Sequence, residues 1–263
     1  MDGSRHLLDG AAWPTGGWFD PLSVLSCYTS FAVDASGAVV DLDRHLARLR
    51  RDSTVLHGQS LGDAAVLEAV RRHLRHVDLP VRLRVAVLAR TPPLQPQEVL
   101  ALHVATSSRP LTAPAERAWR VRTLQHVRTL PQVKAVDPLT TLHHKRQARL
   151  AGDDDLLYAR GDDLLEGTTW GLAAVTSTAV VVPEVDVLPS LGALRVVAAA
   201  GLPVERRDVR RDELAGLRLL LATTALHPAT AIGTLDGAPV PVDVELLRAL
   251  REACAAQPGQ PLS

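Results

Sequence analysis

Lysine is the rarest basic residue of this chain, and its chemistry is one that arginine cannot copy. Only two of the 29 basic residues are lysines, Lys134 and Lys145. A guanidinium keeps its proton in proteins and forms no Schiff base, whereas a lysine amine can. Lys134 ends the apolar segment 130–133, where a charge without a role is costly. Lys145 lies on a polar helical stretch, where a lysine can survive by chance. Lys134 is therefore the candidate amine nucleophile.

Arg48 is a candidate for binding a phosphate. It lies in residues 42–49 (LDRHLARL), a pattern typical of a helix. A guanidinium fork matches the oxygens of a phosphate dianion. Arg44 and Arg51 fall on the same helical face, so a solvated basic stripe is the alternative interpretation.

Two segments further along the chain have the character of phosphate loops. Residues 188–192 (LPSLG) open a predicted helix, and helix N-termini bind phosphate through free backbone N–H groups. Residues 222–224 (ATT) follow a predicted strand and offer a hydroxyl. Either segment can equally be an ordinary turn.

Glu166 is the candidate acidic group. It lies in residues 165–170 (LEGTTW), at the end of a short predicted strand. Taken alone, a glutamate at the end of a strand is expected to face solvent.

The order and spacing of these segments resemble the class IV aminotransferases. These fold type IV pyridoxal-phosphate enzymes include branched-chain and D-amino-acid aminotransferases and aminodeoxychorismate lyase. The resemblance runs from about residue 28 to residue 236. It implies that Lys134 binds pyridoxal 5'-phosphate covalently and then moves the substrate Cα proton. The other implied contacts are Arg48, Leu191, Gly192 and Thr224 to the phosphate, Glu166 to the pyridine nitrogen, and Tyr28 and Thr29 to the substrate.

The chain departs from the family pattern at several positions. Gly171 stands where the family has asparagine, and Leu139 stands where some aminotransferases have an aromatic residue. The phosphate turn has Ser190 for glycine and Gly192 for threonine, and Leu-Ser-Cys (25–27) replaces a glycine-rich entry. These departures concern the substrate and the reaction more than the cofactor.

Three functions follow as hypotheses from the resemblance. The first is transamination between a small amino acid and a 2-oxo acid. The second is pyruvate release from aminodeoxychorismate, favoured by Cys-Tyr-Thr-Ser at 27–30 and by the missing ring at Leu139. The third is a paralogue that has kept the fold and lost catalysis. The resemblance also implies a homodimer.

No metal site is expected. The adjacent residues His143 and His144 point about 100° apart on a helix and do not converge on one ion. Residues 153–155 (Asp-Asp-Asp) follow Gly152 and are typical of a solvated turn. Cys27 is expected to be a buried thiol, although its predicted strand lines the active site in the family.

The periodicity predicts the elements that position these residues. Short strands are expected at 28–33 and 38–42, joined by a turn, and longer ones at 81–89 and 99–105. Further strands are expected at 119–124, 156–159, 164–165, 172–176, 179–182, 204–207 and 217–222. Helices are expected from residue 42, at 63–77, at 137–150, at 191–200 and at 242–255.

The expected fold class is α/β, with a small N-terminal domain at 1–115 and a larger barrel-like domain at 116–263. Residues 107–116 are the linker candidate, and the tail from 257 is expected to be disordered. The resemblance places the cofactor between the two domains.

Composition excludes several classes of protein. The formal net charge is zero, which gives no electrostatic case for nucleic acid or an anionic membrane. No apolar run approaches a membrane span, and no signal peptide is recognisable. Two cysteines are too few for a disulfide framework, so a cytoplasmic location is expected.

Overall fold

The computed structural model describes residues 5–12, 25–89 and 101–262 of the chain. These residues form two compact units. The first contains the residues up to Thr112 together with Val133–Val136 and the segment from Pro258, and the second contains Ala113–Gln132 and Asp137–Gln257. The segment around Lys134 therefore packs with the N-terminal unit, although it follows the linker in sequence.

Strands outnumber helices in the described part of the chain. In chain order the strands are β1 (Arg5–Leu8), β2 (Ala11–Ala12), β3 (Leu25–Val33), β4 (Ala38–Val39), β5 (Val81–Ala89), β6 (Leu102–Arg109), β7 (Trp119–Gln125), β8 (Asp155–Arg160), β9 (Asp163–Gly167), β10 (Gly171–Val175), β11 (Val180–Val182), β12 (Val204–Arg206), β13 (Val209–Arg210), β14 (Leu219–Thr223), β15 (Thr230–Leu235), β16 (Ala238–Pro239) and β17 (Gln260–Pro261). The α-helices are α1 (Leu42–His57), α2 (Asp63–Leu74), α3 (Pro138–Leu150), α4 (Leu191–Ala200) and α5 (Val244–Ala255).

The first unit is built on an antiparallel sheet of order β2-β1-β6-β5-β3. Apolar side chains alternate along β5, and Val81, Leu83, Val85 and Val87 are all buried. They form one core with apolar residues of α1 and α2, such as Leu49. Because strand side chains alternate between faces, the residues between them project to the opposite face of the sheet.

The C-terminal segment is ordered, which corrects the expected disordered tail. Gln260 pairs with Val39 in a two-stranded β17–β4 ladder, and the Arg71 Nε–H donates to the carbonyl of Leu262 at 2.7 Å. The turn expected at 34–37 is present, with Gly37 N donating to Asp34 O at 3.0 Å. The strand expected at 38–42 is shorter, because β4 covers only Ala38–Val39 and α1 begins at Leu42.

The second unit is built on a ten-stranded sheet that closes on itself. Its path is β12-β11-β10-β14-β15-β7-β8-β9-β13, and β10 also pairs with β9. The ring of β10, β14, β15, β7, β8 and β9 is therefore a closed barrel, which confirms the predicted fold class. Strand β15, which joins β14 to β7, was not predicted from the sequence. Gly233 and Thr234 interrupt its run of apolar residues, so the strand lacks a clear alternation of apolar and polar side chains.

The expected helix positions agree closely with the structure. Helix α4 has the expected bounds, with Ser190 at its N-cap accepting from Ala193 N at 3.1 Å. Helix α3 begins at Pro138 after Asp137, whose side chain accepts from Thr140 N. The linker prediction is wrong at its start, because β6 continues to Arg109. None of the helices in the described part of the chain has the length and apolarity that a membrane crossing needs.

Candidate active site

The segment that carries Lys134 lies along the edge of β3. Tyr28 N donates to Lys134 O at 3.0 Å, and Val136 N donates to Ser26 O at 3.0 Å. Cys27 and Ala135 form an antiparallel bridge between these bonds. The backbone of Lys134 is thus fixed by the strand that carries Tyr28.

Asp52 fixes the same backbone from the other side. Its Oδ2 accepts from the Lys134 N–H at 2.8 Å, and its Oδ1 lies 2.6 Å from Arg51 Nη2. The carboxylate is fully buried, while Arg51 is about half exposed. Nothing in the local sequence of α1 singled out this aspartate, since its partner is 82 residues away.

The side chain of Lys134 contacts the ring of Tyr28. Its Nζ lies 4.8 Å from the ring centroid, and the guanidinium carbon of Arg84 lies 4.8 Å from the same centroid. The charge on Lys134 is the main cause that lowers the pKa of the Tyr28 phenol, with Arg84 acting in the same direction against burial. The Tyr28 phenol is therefore more acidic than the phenol of Tyr158, whose pKa is raised by burial.

Thr29 and Tyr28 project to opposite faces of β3. The Thr29 side chain is buried on the face that α1 covers, and its Oγ1 lies 2.6 Å from His45 Nδ1. Its hydroxyl is thus engaged within the first unit and is not presented beside the Tyr28 ring.

Arg48 is separated by burial from the other arginines of α1. It is only 7% exposed. The side chains of Arg44 and Arg51, by contrast, are nearly half exposed. The solvated basic stripe therefore describes Arg44 and Arg51 but not Arg48. A buried guanidinium needs polar groups around it.

Glu166 is held by two donors in the second unit. Arg128 Nε donates to Oε1 at 2.7 Å, and Leu188 N donates to Oε2 at 3.1 Å. The glutamate is 5% exposed, so the solvent-facing alternative is wrong. Arg128, which also donates to the Pro131 carbonyl, was missed by the sequence reading. The sequence around Arg128 offers one weak indication of a role, a basic residue three positions before Pro131.

The two predicted phosphate loops lie against each other. Ser190 Oγ and Thr223 Oγ1 are 2.8 Å apart, and Thr223 Oγ1 donates to Gly171 O at 2.9 Å. A Cβ on Gly192 would come within 2.4 Å of the Thr224 carbonyl oxygen. A Cβ on Gly171 would come within 2.3 Å of the Ser190 Cβ. The departures Gly171 and Gly192 are thus what allow this close approach.

The start of α4 presents backbone donors to this cradle. The first intrahelical bond runs from Leu194 N to Ser190 O, so the N–H groups of Leu191 and Gly192 precede it. The Thr224 hydroxyl, also predicted to bind phosphate, takes part in a turn. It accepts from His227 N at 2.8 Å and lies 3.3 Å from His227 O.

The aspartate run corrects another expectation. Asp154 and Asp155 are buried, so only Asp153 fits a solvated turn. Asp154 binds both terminal nitrogens of Arg117 at 2.6 Å. Asp155 accepts from Thr168 Oγ1 and Trp170 Nε1, and Lys145 Nζ lies 3.3 Å from it. Lys145 thus has a structural ion pair.

Cys27 is buried, as the sequence predicts, whereas His144 is half-buried against Tyr158 and not a surface residue. His144 Nδ1 lies 2.9 Å from the Tyr158 hydroxyl, and the described residues contain no cluster of acidic, histidine or cysteine side chains that could hold a metal. Cys27 is fully buried, and burial raises the pKa of its thiol to about 12. Its thiol is therefore neutral and structural.

The comparisons with known proteins agree with this architecture. The family model for class IV amino-transferases matches residues 26–234. No curated protein sequence matches significantly. Among solved structures, the branched-chain aminotransferase of Thermoproteus uzoniensis with norvaline has a TM-score of 0.78 at 18% identity, covering 96% of this chain and 94% of that one. A putative 4-amino-4-deoxychorismate lyase from Legionella pneumophila has a TM-score of 0.75 at 16% identity, covering 92% and 96%.

A third structural neighbour was solved with a ligand. It is a T.th. branched-chain amino acid aminotransferase complexed with N-(5'-phosphopyridoxyl)-L-glutamate, with a TM-score of 0.77 at 19% identity, covering 95% of this chain and 92% of that one. At these identities the neighbours establish the fold, which is that of the fold type IV enzymes. Because the family model spans most of its length, this chain belongs to the class IV aminotransferase family of enzymes.

Proposed function

We propose that this protein is a pyridoxal-5'-phosphate-dependent aminotransferase acting on an amino acid and a 2-oxo acid. The observation that carries the proposal is the placement of Lys134. Its backbone is fixed by Asp52 and β3, and its amine lies beside the Tyr28 ring. A lysine held in this way is positioned for covalent chemistry and not for surface charge.

The remaining residues fit the groups of the cofactor. In the first unit, the buried guanidinium of Arg48 suits a phosphate. In the second unit, the N–H groups of Leu191 and Gly192 also suit a phosphate, and the loop contact at Gly192 leaves no room for a side chain there. Glu166, fixed by Arg128 and Leu188, suits a protonated ring nitrogen. When bound, the cofactor supplies an electron sink for the charge that develops at substrate Cα.

Three side chains of the protein would then have separate roles in the reaction. With the cofactor bound, the Lys134 amine would accept the substrate Cα proton and later donate it again. Glu166 would hold a proton on the ring nitrogen. Tyr28, with its lowered phenol pKa, contacts the substrate beside Lys134. For Thr29 and Thr224 the proposed roles are contacts to the substrate and the phosphate, alongside the hydrogen bonds they make within the chain.

The first experiment is the visible absorption spectrum of the purified protein with added pyridoxal 5'-phosphate. We expect a visible band in the wild type that Lys134→Ala abolishes and Lys145→Ala retains. Lys145 is the matched control because it is the chain's other lysine and pairs with Asp155. A wild type without the band would leave the non-catalytic paralogue as the better hypothesis.

One observation favours a lyase as the second candidate. Leu139 is aliphatic at the position where some aminotransferases carry an aromatic ring. The Legionella neighbour is described as a putative lyase of this kind. A transaminase needs a second keto acid and the lyase needs none, so pyruvate release without an added acceptor would establish the lyase.

We further propose that the protein is a homodimer in the cytoplasm. Three apolar side chains of α3 are strongly exposed, Leu139, Leu142 and Leu150. They follow one another at helical spacing on one face, as a subunit interface requires. A light-scattering mass near 28.2 kDa, the mass of one chain, would contradict the dimer.

A further inference from the structure

Arg195 joins three separate parts of the second unit. It lies on α4, about one helical turn after Gly192. Its Nη1 donates to the carbonyl of Ala225 at 2.8 Å, and its Nη2 donates to the carbonyl of Cys254 at 2.6 Å. Its Nε donates to Oε1 of Gln257 at 2.9 Å. All three nitrogens of the guanidinium are therefore engaged by oxygens of the chain itself.

The bond to Ala225 reaches the loop after β14, which we propose as part of the phosphate cradle. Within that loop, Thr224 N donates to His227 O at 3.0 Å and His227 N donates to Thr224 Oγ1 at 2.8 Å. These bonds close the turn but do not attach it to α4. The attachment to α4 comes from the bond between Arg195 and the carbonyl that directly follows Thr224.

The loop is thus tied to α4 on both sides of Thr224. On the earlier side, the hydroxyls of Ser190 and Thr223 lie 2.8 Å apart. On the later side, Arg195 binds the carbonyl of Ala225. The Thr224 backbone between these two ties is the part of the loop that packs against Gly192. The position of the loop against the start of α4 therefore depends on both contacts.

The other two contacts of Arg195 hold its side chain in place. Cys254 lies in the last turn of α5, where carbonyls lack partners within the helix and a cation interacts favourably with the helix dipole. Gln257 binds the arginine reciprocally, because its Nε2 donates to the Arg195 backbone carbonyl at 3.0 Å. An arginine that is fixed in this way has lost its rotamer freedom before any ligand arrives. The loop that it holds is therefore preorganised.

We propose that Arg195 is the positioning residue of the phosphate cradle. It keeps the loop after β14 against α4, so that the Thr224 hydroxyl stays beside the N–H groups of Leu191 and Gly192. All of these residues belong to the second unit. This inference rests on the proposed function and deepens it: affinity for the phosphate of the cofactor depends on an arginine that acts through the loop and not by contact with the phosphate.

The test compares pyridoxal 5'-phosphate with pyridoxal, which has the same ring and aldehyde but no phosphate. Each is titrated into the full-length protein and followed by the visible band. We expect Arg195→Gln to weaken the binding of pyridoxal 5'-phosphate about tenfold and to leave that of pyridoxal unchanged. Calorimetric titration of inorganic phosphate into protein freed of the cofactor should show the same loss.

Gln257→Ala is a milder variant that tests the same idea. It keeps the bonds from Arg195 to Ala225 and Cys254 and removes only the partner of Nε. Because the arginine then regains some freedom, pyridoxal 5'-phosphate should bind about threefold more weakly, again with no change for pyridoxal.

Arg251→Gln is the matched control. Arg251 on α5 is half-buried like Arg195, and it also donates to two backbone carbonyls, those of Ala229 and Ala115. Neither carbonyl belongs to the turn 224–227. Its loss should lower the denaturant midpoint about as much as Arg195→Gln does, without changing the ratio of the two affinities.

Two results would overturn the proposal. One is an equal loss of affinity for pyridoxal 5'-phosphate and for pyridoxal in Arg195→Gln, as a merely structural role predicts. The other is an unchanged affinity for pyridoxal 5'-phosphate in both Arg195→Gln and Gln257→Ala. If circular dichroism shows that Arg195→Gln does not fold, the two affinities of Gln257→Ala decide by the same criteria.

The outcomes also separate this inference from the proposed function. If the wild type forms no visible band but binds inorganic phosphate, and Arg195→Gln weakens that binding, only the aminotransferase function fails. If the band forms and amino transfer occurs, while the two affinities keep their ratio in Arg195→Gln, only the positioning role fails.

Discussion

At the scale of single residues, Asp52 is the side chain that fixes the backbone N–H of Lys134. A buried carboxylate that accepts a backbone N–H cannot be removed without leaving that donor unsatisfied. Lys134, Glu166 and Arg48 were predicted from the sequence, whereas Asp52 and Arg128 were not, because their partners are far away in the chain.

Asp52→Ala should lower the free energy of unfolding by about 2 kcal/mol, as expected for an orphaned buried donor. It should also slow formation of the visible band with pyridoxal 5'-phosphate, because the Lys134 backbone loses a fixed point. Asp52→Asn keeps an accepting oxygen and should lose less of both. Denaturant unfolding and stopped-flow absorbance give the two quantities. Equal losses in the two variants would show that charge, and not the hydrogen bond, is what matters.

The ionisation of the two tyrosines, Tyr28 and Tyr158, is expected to occur at different pH values. The cations beside Tyr28 lower its phenol pKa, and burial raises that of Tyr158. Alkaline titration of phenolate absorbance should therefore show two steps, with Tyr28 first. Lys134→Ala should move the first step to higher pH, and Lys145→Ala should not. A single step, or a first step that survives in Tyr28→Phe, would contradict the assignment.

At the scale of elements, the start of α4 and the loop after β14 are in contact and form the cradle that we propose for the phosphate. A glycine at residue 192 is needed because a Cβ would overlap the Thr224 backbone. The sequence identified both loops but presented Gly192 and Gly171 as departures from the family pattern. The packing explains both, because Gly171 leaves room for Ser190 and Gly192 leaves room for the Thr224 backbone.

Gly192→Ala should therefore separate the two loops and weaken cofactor binding by about tenfold, since overpacking costs about 1–3 kcal/mol. Gly216→Ala is the matched control, because a Cβ there meets nothing within 4 Å and its φ is not positive. Equilibrium dialysis of pyridoxal 5'-phosphate measures both. Unchanged affinity in Gly192→Ala would place the phosphate elsewhere.

At the scale of the whole molecule, each unit has a core that contains one cysteine. Cys27 belongs to the core of the first unit, and Cys254 belongs to a core cluster of the second. Both thiols are free and buried, and burial raises the pKa of each. They are natural reporters of the opening of their units.

Neither cysteine should react with an alkylating reagent in the native protein near neutral pH, and both should react once the protein unfolds. Labelling at increasing denaturant, read by mass spectrometry of peptides, would give a midpoint for each unit. Identical midpoints indicate that the units unfold together. Rapid native labelling of Cys27 would contradict the buried, neutral thiol.

The sequence by itself determined what depends on neighbours along the chain. Periodicity placed α4 and β5, capping residues marked the start of α3, and the scarcity of lysine singled out Lys134. These signals are local, because a helix or strand is selected by spacings of a few residues.

The tertiary structure alone decided which distant residues meet. Local spacing carries no information on the pairing of Asp52 with Lys134, of Arg128 with Glu166, or of Arg82 with Arg109. The same holds for the tail strand β17, whose apolar content is too low to predict it and whose partner β4 lies at the other end of the chain. Such contacts form only when chain folding overcomes the entropy of closing long loops, and that depends on the whole core.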